Sequence, residues 1–173
     1  FNGASLIELI NILNSGKITD GTEIAATKEI YAGAADDLYT HQSKPEAVNS
    51  LISKINSGAK FVQTQYCFDI EVIKFYSNLL LNNGKNASWK VLVGMGPLKS
   101  ARQADWMRKN LWGINISDEI IDRLDKSEDP ISEGEKICIE LIDQIKDLPG
   151  IDGVHLMGPN CETQSANIIN TFT

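Results

Sequence analysis

The chain has 173 residues, of which 42% are hydrophobic and 23% charged, a composition typical of a soluble globular domain with its own core. Its net charge of −7 argues against a nucleic-acid partner, because phosphate binding requires a basic surface. No apolar run approaches the ~20 residues that cross a membrane, so no membrane partner is expected. Three cysteines and two histidines at unrelated spacings indicate neither a disulfide framework nor a metal site, and reduced thiols predict a cytoplasmic protein.

In chain order, the first predicted element is a helix with Ser5 as its N-cap, which ends at residues 14–16. A polar loop over residues 17–28 leads to a short buried strand at residues 29–35. Residues 36–44 are predicted to form a second polar loop.

Pro45 is predicted to occupy the first turn of the next helix, which stops before Gly58. A strand follows at once over residues 60–65. Asp69 is the predicted N-cap of a third helix, and another apolar strand covers residues 90–94.

The remainder of the chain is predicted to be richer in helix. The expected elements are a helix over about residues 100–109, an extended piece at 113–116, a helix capped by Ser117, a long helix over 133–146 capped by Ser132, a strand at 153–157 and a helix over 162–172. Alternation of strands with helices implies parallel strands joined by right-handed crossovers.

Four parallel strands leave open edges, whereas a closed barrel needs about eight strands. A small doubly wound sheet would usually carry a glycine-rich turn after its first strand, but residues 33–37 (GAADD) contain one glycine. We therefore predict an α/β fold that is a partial (β/α)8 TIM barrel, roughly the last four strand-helix units. Residues 1–173 are expected to be a single domain that lacks the N-terminal half of the barrel.

Chemistry in such a barrel is expected at the carboxyl ends of the strands. Strand alternation puts Phe61, Gln63 and Gln65 on one face, with Gln65 at the tip. A buried amide needs hydrogen-bond partners, which an internal network with water could supply. Alternatively, Gln65 presents its amide to a heterocyclic ligand such as a pterin.

Four segments carry a resemblance to a known family. They are residues 58–69 (GAKFVQTQYCFD), 91–100 (VLVGMGPLKS), 113–116 (GINI) and 150–157 (GIDGVHLM). Together, and in this order, they resemble the motifs in the last half of the methylenetetrahydrofolate reductase barrel.

The resemblance implies a flavoprotein that reduces 5,10-methylenetetrahydrofolate to 5-methyltetrahydrofolate with FAD and NAD(P)H, as a homo-oligomer of the full-length protein. It assigns folate contacts to Gln65, Gln103, Thr64 and Met107, and flavin contacts to Lys54, His41, Ser50 and Ser53. The family's general acid and flavin-tuning residues lie in the N-terminal half of its barrel. No catalytic residue is therefore expected in this chain. Without the N-terminal half of the barrel, residues 1–173 are expected to be inactive.

Departures from the family pattern keep other functions open. Residues 35–38 (ADDL) replace a flavin-contacting motif, and Cys161 stands where the family has a substrate-binding arginine. One alternative is a non-redox folate-binding or methyl-transfer barrel of the same superfamily. Another is an interaction module in which two half-barrels pair to close eight strands.

Overall fold

The structure, a computed structural model, describes residues 2–25 and 28–173. Its strands are β1 Gly33–Asp36, β2 Phe61–Tyr66, β3 Lys90–Met95 and β4 Gly153–Leu156. Its helices are α1 Gly3–Asn14, α2 Leu38–Ser43, α3 Val48–Asn56 after a 3-10 turn at Pro45–Ala47, α4 Ile70–Asn82, α5 Ala101–Asn110, α6 Asp118–Lys126, α7 Pro130–Ile145 and α8 Glu162–Phe172.

Within the described residues the strands form one parallel sheet in the order β1-β2-β3-β4. The prediction of an α/β fold with parallel strands is therefore confirmed. One face of this sheet is covered, because Val62, Val91 and Val93 are fully buried in the core. Alternate residues on the other face, such as Phe61 and Leu92, are only partly buried.

The helix caps agree with the sequence at several positions and differ at two. Asp69 caps α4 and Ser117 caps α6 as predicted. At α1 the N-cap is Asn2, and Ser5 instead completes a capping box three residues later, with the two residues hydrogen-bonded to each other's backbone. At α7 the cap is Asp129 rather than Ser132, because Pro130 fits the first helical position.

The prediction of a loop over residues 36–44 was wrong, because α2 occupies most of it. The side chain of Asp37 accepts hydrogen bonds from the backbone N–H groups of Tyr39 and Thr40, which starts a helix too short to show periodicity. The strand predicted from residue 29 begins only at Gly33, and residues 113–116 belong to no strand. The loop predicted at 17–28 contains one isolated bridge between Lys17 and Glu23, and its residues 26 and 27 lie outside the described part.

No helix in the described part of the chain has both the length and the apolar character needed to cross a membrane.

Candidate functional site

A cavity of about 590 Å³ opens at the carboxyl ends of β1, β2 and β4, and we call it the strand-end cavity. Its walls come from strand ends, from α2 and α3, and from the loop after α5. The lining residues are Ala35, Asp36, Asp37, Thr40, Ala47, Ser50, Lys54, Gln63, Thr64, Gln65, Trp112, His155 and Met157. Ligand sites are expected at this end of a parallel sheet, because loops from separate strands converge there.

A bulge shapes the tip of β2, since its register against β3 shifts between Gln63 and Tyr66. The hydroxyl of Thr64 accepts a hydrogen bond from the Gly94 N–H at 2.8 Å and donates one to the Gln65 carbonyl at 3.0 Å. This side chain is 4% exposed. Thr64, predicted to contact folate, therefore uses its hydroxyl to hold the strand tip that presents Gln65.

The side-chain amides of Gln63 and Gln65 both line the strand-end cavity, but they differ in their hydrogen bonds. Gln65 donates from Nε2 to the Trp112 carbonyl at 3.2 Å and accepts from the Tyr66 N–H at 3.0 Å. Among the described residues, no hydrogen bond to the side chain of Gln63 is found. Thus Gln65 is held by the protein itself, while Gln63 has an amide available for a ligand.

One face of the α3 segment contributes Ala47, Ser50 and Lys54, which lie three and four residues apart along the helix. The Lys54 ammonium donates to the Ala35 carbonyl at 2.9 Å, which holds this cation against the end of β1. Ser53 is exposed and does not line the cavity. Two of the four side chains that the resemblance assigns to flavin, Ser50 and Lys54, therefore share this wall.

His41, the remaining predicted flavin contact, lies behind the cavity wall. It is 1% exposed and its Nε2 is 2.8 Å from Oδ2 of Asp36, which also accepts a 2.7 Å hydrogen bond from the Tyr76 hydroxyl. Burial, followed by the Asp36 carboxylate, raises the pKa of Tyr76 well above its ordinary value, so the phenol stays a donor. His41 and Tyr76 thus fix Asp36, and Asp36 itself reaches the cavity.

Gln103 and Met107 line a separate, smaller cavity of about 200 Å³ beside the ends of β3 and β4. Its other lining residues include Tyr66, Trp106 and Cys161. Gln103 accepts from the Lys99 N–H at 2.8 Å as part of the start of α5, and Met107 is 6% exposed. The structure therefore does not bring Gln103 and Met107 into the same cavity as Gln65.

Gln63, His155 and Trp112 are among the lining residues of the strand-end cavity that were not predicted as ligand contacts. The spacing in β2 had already put Gln63 on the same face as Gln65, so this residue could have been found. His155 lines the cavity and keeps its Nδ1 buried without a partner among the described residues. No sequence signal pointed to Trp112, which lies in a loop.

A family model described as methylenetetrahydrofolate reductase matches residues 3–173 of the chain. Among solved structures, an uncharacterized protein from Clostridium thermocellum that binds two copies of 5-methyl-5,6,7,8-tetrahydrofolic acid matches with a TM-score of 0.62 and 16% sequence identity. The match covers 85% of this chain and 55% of that one, so this chain spans about half the length of the solved structure. No curated protein sequence matches the chain.

Proposed function

The chain belongs to the methylenetetrahydrofolate reductase family, and on this premise we propose that its strand-end cavity binds the pterin ring of a reduced folate. For the whole protein we propose an oxidoreductase that converts 5,10-methylenetetrahydrofolate to 5-methyltetrahydrofolate with FAD and NAD(P)H. These 173 residues would form the last four strand-helix units of a (β/α)8 barrel, consistent with the strand order β1-β2-β3-β4. A cytoplasmic location and a homo-oligomer of the whole protein are part of the same proposal.

The pair of amides on β2 is the observation that carries the folate proposal. A pterin edge presents adjacent hydrogen-bond donors and acceptors, and a carboxamide can pair with one of each. Gln63 offers such a group without losing an internal bond. Gln65 uses one N–H of its amide for the Trp112 carbonyl, and its second N–H is left to donate to the ligand.

The remaining walls of the cavity suit a flat ring whose outer end is polar. Ala35 and Met157 supply apolar contacts, while Asp36 supplies a fixed carboxylate. Asp36 uses Oδ2 for its two internal bonds, and no described residue donates to Oδ1. A mostly apolar cleft with a few oriented polar groups is the usual form of a small-molecule site.

The wall formed by α3 fits the phosphate end of FAD. The Lys54 ammonium has three N–H donors, of which one is used by the Ala35 carbonyl. Ser50 adds a hydroxyl on the same face, and the small side chain of Ala47 leaves space beside them. Bound FAD would supply the ring that carries the hydride, while Lys54 and Ser50 would hold its phosphates in place.

A non-redox folate-binding or methyl-transfer function is the second candidate. It is favoured by the position of two residues that the resemblance assigns to flavin. His41 is buried in its contact with Asp36, and Ser53 lies outside the cavity. A protein with this function would bind folate and would be purified without a flavin.

We expect the purified chain to bind 5-methyltetrahydrofolate saturably in isothermal titration calorimetry. A Gln65→Leu substitution keeps the size of the side chain but leaves polar atoms of the ligand unpaired. It should weaken binding by about 5- to 150-fold, the equivalent of about 1–3 kcal/mol. Absence of saturable binding, or equal affinity of the variant and the native chain, would refute the folate proposal.

Gln144→Leu is a matched control, because Gln144 is an exposed glutamine on α7 that does not line the strand-end cavity. Its affinity should equal that of the native chain. A visible absorbance spectrum of the purified whole protein then separates the two candidate functions. Flavin bands favour the reductase, whereas a colourless protein that binds folate favours the non-redox function.

A further inference from the structure

Trp112 is 75% exposed, yet its loop is firmly attached to the rest of the fold. Two residues shortly after it, Ile114 and Ile116, are buried in the core. Gly113 has a φ of +73°, in the left-handed region that favours glycine, and a Cβ there would lie 3.1 Å from the Asp37 carboxylate. The loop is therefore packed closely against the start of α2.

The main chain of Trp112 is also tied directly to the proposed ligand site. Its carbonyl accepts the 3.2 Å hydrogen bond from Nε2 of Gln65, and the residue lines the strand-end cavity. The main chain of Trp112 is thus fixed beside the cavity, while its indole remains exposed. Few rotatable bonds then need to be fixed when a ligand arrives.

The indole itself makes no aromatic or cation contact within the described residues. The ring pairs found there are Tyr31–Phe61, His41–Tyr76 and Tyr66–Phe68, and the cation over a tryptophan is Lys85 on Trp89. Indole has a large polarizable face, and aromatic faces gain energy by stacking on flat rings. The face of Trp112 is thus available beside the amides of Gln63 and Gln65.

We propose that Trp112 is a ligand-binding residue whose indole stacks on the flat heteroaromatic ring held in the strand-end cavity. In this arrangement the ring edge meets the Gln63 amide and the ring face meets the indole. The identity of the ring as a pterin rests on the proposed function, whereas the stacking position rests on the placement of Trp112. Stacking of a base on an aromatic side chain sets the scale, at about 5- to 150-fold in affinity.

The test compares Trp112→Leu with Trp106→Leu in the full chain. Trp106 is a matched control, because it is also exposed, at 55%, but lines the smaller cavity. Each protein is titrated with 5-methyltetrahydrofolate and, separately, with FMN as a flat ring that is not a folate. Quenching of tryptophan fluorescence is recorded, the dissociation constant is measured by calorimetry, and circular dichroism checks that both variants remain folded.

We expect saturable quenching in the native chain by at least one probe. In Trp112→Leu the quenching should be largely lost and the affinity lowered by about 5-fold or more, while Trp106→Leu retains both. Native affinity in Trp112→Leu would overturn the stacking position alone. Loss of quenching in Trp106→Leu would also overturn the stacking position, because the ligand ring would then lie in the smaller cavity. If neither probe binds the native chain, both this inference and the folate proposal fail.

Discussion

At the scale of single residues, the hydroxyl of Thr64 determines the shape of the strand tip. A bulge leaves main-chain groups without their regular ladder partners. Thr64 meets this need, because its hydroxyl accepts from the Gly94 N–H and donates to the Gln65 carbonyl. The residue that follows it, Gln65, is consequently held in place beside the cavity.

Replacing Thr64 with Val should lower the free energy of unfolding by about 1–3 kcal/mol, because the buried Gly94 N–H would lose its partner. Urea unfolding followed by circular dichroism measures this change. Thr64→Ser is the control: it keeps the hydroxyl and should lose less stability. If Thr64→Val were as stable as Thr64→Ser, the hydroxyl would have no part in holding the bulge.

At the scale of elements, α7 packs against the chain segment that follows β3. Gly134 lies at this contact, and a Cβ there would overlap the carbonyl group of Leu98. The absence of a side chain thus lets the helix approach the main chain closely. This contact fixes the segment that carries Lys99 and the start of α5.

We expect Gly134→Ala to destabilise the protein, although Ala favours helix over Gly by about 1 kcal/mol. The overlap with Leu98 involves main-chain atoms that cannot move aside without shifting α7, and overpacking of this kind costs about 1–3 kcal/mol. Gly3→Ala in α1 is the control, because the three atoms nearest to its Cβ would belong to the flexible Lys54 side chain, the first at 3.2 Å. A melting temperature of Gly134→Ala at or above that of the native chain would contradict the close contact.

The elements also show which local signals the sequence carries. Asp69 and Ser117 cap their helices as predicted, since a cap depends on residues within one helical turn. The helix α2 was missed because six residues, mostly polar, give no apolar periodicity. Its start depends on Asp37, whose cap bonds became evident only with the helix in place.

At the scale of the whole molecule, one hydrophobic cluster connects the sheet with the helices. It includes Ile7 of α1, Leu51 of α3, Val91 of β3 and Ile168 of α8. A core shared by elements from both ends of the chain makes partial unfolding costly, because each element buries apolar surface of another. This continuity supports the prediction of a single domain.

We therefore expect one cooperative unfolding transition in urea. Circular dichroism at 222 nm, a standard helix wavelength, reports the helices, and fluorescence reports the environment of Trp89, which is 3% exposed. Exposed Trp106 and Trp112 can be replaced by Phe to isolate the Trp89 signal. Midpoints that differ between the two signals would show that the chain unfolds in more than one unit.

Patterns in the sequence were enough to predict the alternation of strands and helices, the parallel sheet and the family. These depend on periodicity and motifs that are read from neighbouring residues. Three arrangements became visible only in the folded chain: Gln65 and Gln103 line separate cavities, His41 lies behind Asp36, and Trp112 lines the strand-end cavity. The physical reason is that such arrangements depend on how strand ends and loops far apart in the chain pack together, which no local pattern encodes.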